Sequence, residues 1–206
     1  MIKGQKIFRT CITVLVFCIF NLNHKAQKMD DFFSKKEIKL ANTASQEKYL
    51  DDFEKEVILL LNLARSQPKN FLKFYRASLR VNQNNCGKSK EDYYHKTLEK
   101  KLMTMTSLPV LTANAQLTEF ARCWAGYCGE KGITGHNRNY CKSNYSAQCC
   151  AYGGDSASDV VWMLLIDRGV KSLGHREICL SASITQIGVA KEKHLKYGLN
   201  AVLDFK

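Results

Sequence analysis

The sequence has almost no proline. Pro68 and Pro109 are the only two among 206 residues, and the 12 glycines follow no period. This excludes a collagen-like, proline-rich or low-complexity chain. No segment repeats, so solenoids and propellers are excluded too. Acid is scarce, with 19 Asp and Glu against 31 Lys and Arg. The bases are scattered, without the aromatic-spaced strip of single-strand binders, and no nucleic-acid partner is expected. Also missing is any apolar run of the about 20 residues that a membrane span needs. The longest, CITVLVFCIFNL from Cys11 to Leu22, falls short.

What is there begins with that run. Lys3, Lys6 and Arg9 precede it, polar residues follow, and Ala26 is a small residue before a cleavage point. This is the layout of a secretory signal peptide over 1–26. The expected localisation is secreted or periplasmic. The competing reading is an uncleaved membrane anchor, with membrane contact only if the N-terminus is retained. Phe17 stands where a lipoprotein signal wants a small residue, which argues against lipid attachment at Cys18. Removing Lys3, Lys6, Arg9 and Lys25 leaves 27 bases and 19 acids, a net charge of +8 that suits a solvated surface.

Seven cysteines then remain: Cys86, Cys123, Cys128, Cys141, Cys149, Cys150 and Cys179. In an exported protein they read as disulfide partners, with at least one left over. A bridge from Cys141 to Cys149 or Cys150 would pin the loop between them. Zinc is the alternative, but Cys123 and Cys128 lack the tight paired spacing of zinc modules.

Residues 27–45 are polar and read as a linker. Leu50, Phe53, Val57, Leu60, Leu61 and Ala64 then share one helical face, ending near Arg65 and Pro68. Further helices are expected over about 68–80 and about 91–105. Another runs from an N-cap at Thr112 to a stop at Gly129, with Leu117, Phe120, Ala121, Trp124, Ala125 and Cys128 on one face. Residues between it and Ser156 read as a loop with short extended pieces. VVWMLLI is apolar all round, hence a buried helix, ended by Gly169. ITQIGVA and GLNAVLDF read as two strands. Helices first and strands later make an α+β domain.

Three stretches together resemble the CAP superfamily of cysteine-rich secretory proteins, insect venom antigens and plant pathogenesis-related proteins. They are LLNLARSQP, LTEFARCWAGYC running into GHN, and AYGGDSASDVVWMLLIDRGVKSLGHREICL followed by IGVA. SLGHR and LNAVLDF look most like bacterial members. The resemblance covers 46–206 and implies a three-layer α-β-α sandwich around a central, mostly antiparallel sheet. It also implies a cleft with two His and two Glu. By position the His pair is His136 and His175. Gln148 stands where the first Glu is expected, and Asp167, eight positions before His175, stands for the second. Gln cannot ionise, so it is neither a base nor a strong metal ligand. Tyr140, Tyr145 and Tyr152 surround the cleft in this reading, and Tyr152 is counted among the cleft-binding residues with His136, Gln148, Asp167 and His175.

A divalent metal such as zinc at His136 and His175 is one implied state. The other has each imidazole hydrogen-bonded to a nearby carbonyl or carboxylate, as Asp167 with His175. The family also implies a non-catalytic binding module for a small apolar, lipid- or sterol-like ligand or a protein partner. The rival is a metal-assisted hydrolase using His136, His175 and Asp167. For it, Ser143, Ser146, Ser172 and the thiolates of Cys149 or Cys150 are the nucleophiles on offer. Trp124 and Trp162 read as core.

Overall fold

The computed structural model describes residues 28–83, 93–136, 140–141 and 144–206. The expected leader over 1–26, Cys86 and Ser143 lie outside them.

Capping chemistry sets the helix starts. Ser34 and Glu37 cap each other's backbone to open α1 (Lys35–Ala41), and Asp51 and Glu54 do the same for α2 (Asp52–Ser66). Each pair satisfies N–H groups that a helix start leaves without partners. Pro68 opens α3 (Pro68–Gln83), where its missing N–H is not needed, and α4 spans Tyr93–Thr104.

The expected linker over 27–45 is folded from Met29 onward. A 3-10 turn at Met29–Asp31 precedes α1, and Phe33, Ala41 and Ala44 are buried. The buried Asn62 amide of α2 donates to the Ala41 carbonyl at 2.9 Å and accepts from Leu111 N at 2.7 Å. The segment's average polarity concealed a small inward face.

Strands β1 (Thr112–Ala113), β2 (Ala147–Tyr152), β3 (Gln186–His194) and β4 (Gly198–Phe205) form one sheet in the order β1-β3-β4-β2. β1 pairs parallel with β3, and the other pairings are antiparallel. Helix α5 (Ala115–Lys131) covers one face through Ala121, Trp124, Ala125 and Cys128. The opposite face carries α2 and α6 (Ala157–Ile166) on the larger core. The architecture is thus the α+β three-layer sandwich with a mostly antiparallel sheet.

Three local expectations change. The loop expected before Ser156 contains the edge strand β2. Asn114, not Thr112, caps α5, which runs through Gly129 to a left-handed Gly132. Gly129 is a packing position: a Cβ there would sit 1.9 Å from the Lys193 carbonyl of β3. No helix among the described residues is long and apolar enough to cross a membrane.

Candidate functional site

The site has two arms, one from each layer, that meet beside the edge strand β2. The first is the corner between α6 and α7 (Gly174–Cys179). α6 stops at Ile166, and Asp167 rather than Gly169 ends it, in the left-handed conformation at φ 56°. That conformation is uncommon outside glycine, and Asp is among the residues that adopt it most readily. Its carboxylate is spent on the next helix. Oδ2 accepts from His175 N at 2.9 Å and Arg176 N at 3.4 Å, and Oδ1 lies 2.7 Å from His175 Nδ1.

The neighbouring residue locks this corner. The buried Arg176 guanidinium donates to the last carbonyls of α6, Leu165 at 2.5 Å and Ile166 at 2.7 Å, and reaches Tyr94 O and Thr97 Oγ1 of α4, each at 3.0 Å. Burial lowers its pKa, and the Asp167 charge works the other way. Consecutive residues of α7 therefore present the imidazole and cap the helix that carries its partner.

The second arm approaches from the α5 side. His136 follows Gly135, whose φ of 101° suits only glycine. The Gly135 carbonyl accepts from Trp124 Nε1 at 2.9 Å, and its N–H donates to Tyr152 Oη at 2.9 Å. Side chains alternate along β2, so Gln148, Cys150 and Tyr152 share one face. Gln148 stands directly opposite Asp204 of β4. Its amide N–H donates to Asp204 Oδ1 at 2.8 Å, and its oxygen lies 2.9 Å from His136 Nδ1.

Asp204 was not among the residues singled out in the sequence. It is fully buried. A lone acid in the otherwise apolar AVLDF stretch was the available signal, since carboxylates are rarely buried without partners. Its role follows from donor chemistry. A carboxylate only accepts, so it turns the Gln148 NH2 towards itself and leaves the carbonyl oxygen for His136. An uncharged His136 must then carry its proton on Nδ1, leaving the lone pair on Nε2. Asp167 imposes the same tautomer on His175. We expect Asp204→Asn to release this constraint, because an amide can face Gln148 either way. The imidazole 15N shifts of His136 should then report mixed tautomers, and an unchanged Nδ1–H form would count against the relay.

The two rings lie 6.4 Å apart between centroids. His136, Gln148, Asp167 and His175 are thus brought together, with Tyr152 bonded beside them through Gly135. Tyr140 is instead exposed and stacked on Tyr127 at 3.6 Å, and Tyr145 is buried. The donor set does not fit a zinc cofactor. Catalytic zinc takes three protein ligands, and no group of three His, Cys, Asp or Glu is placed to hold a metal among the described residues. Asp167 stands behind its imidazole, and Gln148 brings no charge.

Among the described residues no serine hydroxyl is hydrogen-bonded to either imidazole. Cys150 Sγ lies 3.7 Å from His136 Nδ1, but that nitrogen already faces Gln148. Burial pushes the Cys150 thiol up to about 12 and holds Cys149 well above the usual thiol range, so neither supplies a thiolate at neutral pH. The bridge expected from Cys141 to Cys149 or Cys150 runs instead from Cys141 to Cys123. The strand draws Cys149 and Cys150 into the two core layers, while Cys123 on α5 meets Cys141.

Beside the His175 arm lies an open cavity of about 540 Å3. Trp162, Met163, Ile166 and Val170 form an apolar wall, and Asp167, Arg168 and His175 bring polar groups to it. Trp162 is half-buried, packed on Phe71 and Tyr75 at 5.3 and 5.0 Å, and so belongs both to the core edge and to the cavity.

Comparison with curated proteins finds no match. The family model for the cysteine-rich secretory protein family matches residues 61–205, from within α2 to the end of β4. That span is most of the chain and contains both arms of the site, so the protein belongs to the cysteine-rich secretory protein (CAP) family.

Proposed function

We propose that this chain is an exported binding module, working in the envelope or extracellular space, whose cavity takes a small apolar ligand with a polar end. The observation that carries this reading is the cavity itself. Its volume of about 540 Å3 falls within the roughly 300–1,000 Å3 typical of small-molecule sites, and apolar wall with polar groups to one side is the usual lining. Export rests on the basic and apolar composition of 1–26. A protein partner remains the alternative occupant.

Met163 is the position to test, since it lines the wall from the half-buried edge of the core. We expect Met163→Gln to weaken binding of a fluorescent long-chain fatty acid about tenfold, in line with about 1.4 kcal/mol of lost apolar contact. Titration of probe fluorescence reads this directly. No saturable binding by the native protein, or equal binding by the variant, would overturn the reading.

The hydrolase reading draws support from the Asp167–His175 pair, which orients an imidazole as a general base requires. Among the described residues it finds no activated nucleophile. Ester hydrolysis by the native protein that disappears in His175→Ala would favour it over the binding module.

A further inference from the structure

Cys128, Cys149, Cys150 and Cys179 are all present as buried thiols. Alternation along β2 sends the adjacent Cys149 and Cys150 to opposite faces. Cys149 joins the core layer that also holds Cys179, and Cys150 joins the layer that holds Cys128. Cys149 and Cys179 are both fully buried. Cys149 Sγ lies 3.8 Å from the carbonyl oxygen of His175. In a helix that carbonyl is the acceptor for the N–H four residues on, which is Cys179. The Cys149 sulfur is therefore seated against the helical turn that bears Cys179. Burial first, and then the Cys179 thiol itself, raise the Cys149 pKa, as befits thiols facing each other in an apolar interior.

We propose that Cys149 and Cys179 form a disulfide site that fastens β2, the strand of Gln148, to α7, the helix of His175. The proposal goes beyond the reading of the cavity and does not depend on it. Closing the bond breaks two S–H bonds, releases two protons and two electrons, and forms one S–S bond. The electrons go to a small-molecule disulfide of the glutathione class, which leaves as two thiols after passing through a mixed disulfide. The finished interior holds little thiolate, so exchange takes place while β2 and α7 are docking and their sulfurs still meet solvent.

The test is to refold the full chain from denaturant in reduced and oxidised glutathione, alkylate the remaining thiols and digest with trypsin. Cys149 falls in peptide 143–168 and Cys179 in peptide 177–191. The expected result is that these two peptides run as one cross-linked species that separates on reduction. Fragment sequencing should place the link on Cys149, and both positions should be lost from the alkylated pool. Alkylated Cys149, or Cys149 linked to any sulfur other than Cys179, overturns the proposal.

Discussion

Arg65→Met is expected to lower the unfolding free energy by about 4 kcal/mol, from about 1 kcal/mol for each of the carbonyls it would strand. Arg65 lies in the last turn of α2, fully buried. Its guanidinium donates to Pro109 O, Cys179 O, Ser181 O and Ile184 O, each at 2.9 Å. Methionine fills similar volume but donates nothing, and the carbonyls stay where the chain puts them. Domains of this kind are stable by only about 5–15 kcal/mol, so the loss should be plain in the urea midpoint. Arg65→Lys keeps the charge but has a compact ammonium in place of the planar fork, and should recover less than half. A loss below about 1 kcal/mol in the Met variant would show that these bonds contribute little beyond solvation. The same carbonyls fix the chain leaving α7, so Arg65 also sets the base on which His175 stands.

Gly188→Ala should be nearly as damaging, at about 3 kcal/mol, the upper end of ordinary overpacking. A Cβ there would lie 2.2 Å from Leu117 C and 2.2 Å from Thr118 N. These are backbone atoms in the first turn of α5, so no side chain can rotate aside, and helix and sheet would have to part. Gly126→Ala on the same helix is the contrast. Nothing lies within 4 Å of its added methyl, and alanine's better helix propensity should stabilise by about 0.5–1 kcal/mol. Thermal melts of the two variants should therefore move in opposite directions. Equal melting temperatures would mean that α5 is free to slide on β3.

These positions show what sequence reading captured and where it stopped. The faces of α2 and α5 were plain because their apolar residues recur at helical spacing, and α6 because it is apolar all round. The His136, Gln148, Asp167 and His175 quartet came from aligning motifs by order. α1 was missed because the few residues that pack inward, Phe33, Ile38, Ala41 and Ala44 among them, are scattered among polar neighbours. β2 was hidden by its Cys–Cys pair, a polar Gln148 and flanking turn formers. Gly129 looked like a helix stop, because a glycine required by a neighbouring carbonyl is indistinguishable in sequence from one required by a turn. Asp204 escaped because its meaning depends on cross-strand register with Gln148, which no local pattern records. The pairing of Cys141 with Cys123 likewise depends on a tertiary contact with α5 that spacing does not record.

The chain from Asp167 to His175 is closed on itself, once through covalent backbone and again through the carboxylate's grip on both the amide and the ring of His175. It behaves as a small macrocycle with a fixed circumference, and Arg176 rivets it to the end of α6. Its rim turns through positive φ at Gly169 and Leu173, which restricts what can stand there. Adding or deleting a single residue inside it changes the circumference and undoes both closures together. Transplanting this corner into another scaffold therefore means conserving its length before conserving its letters.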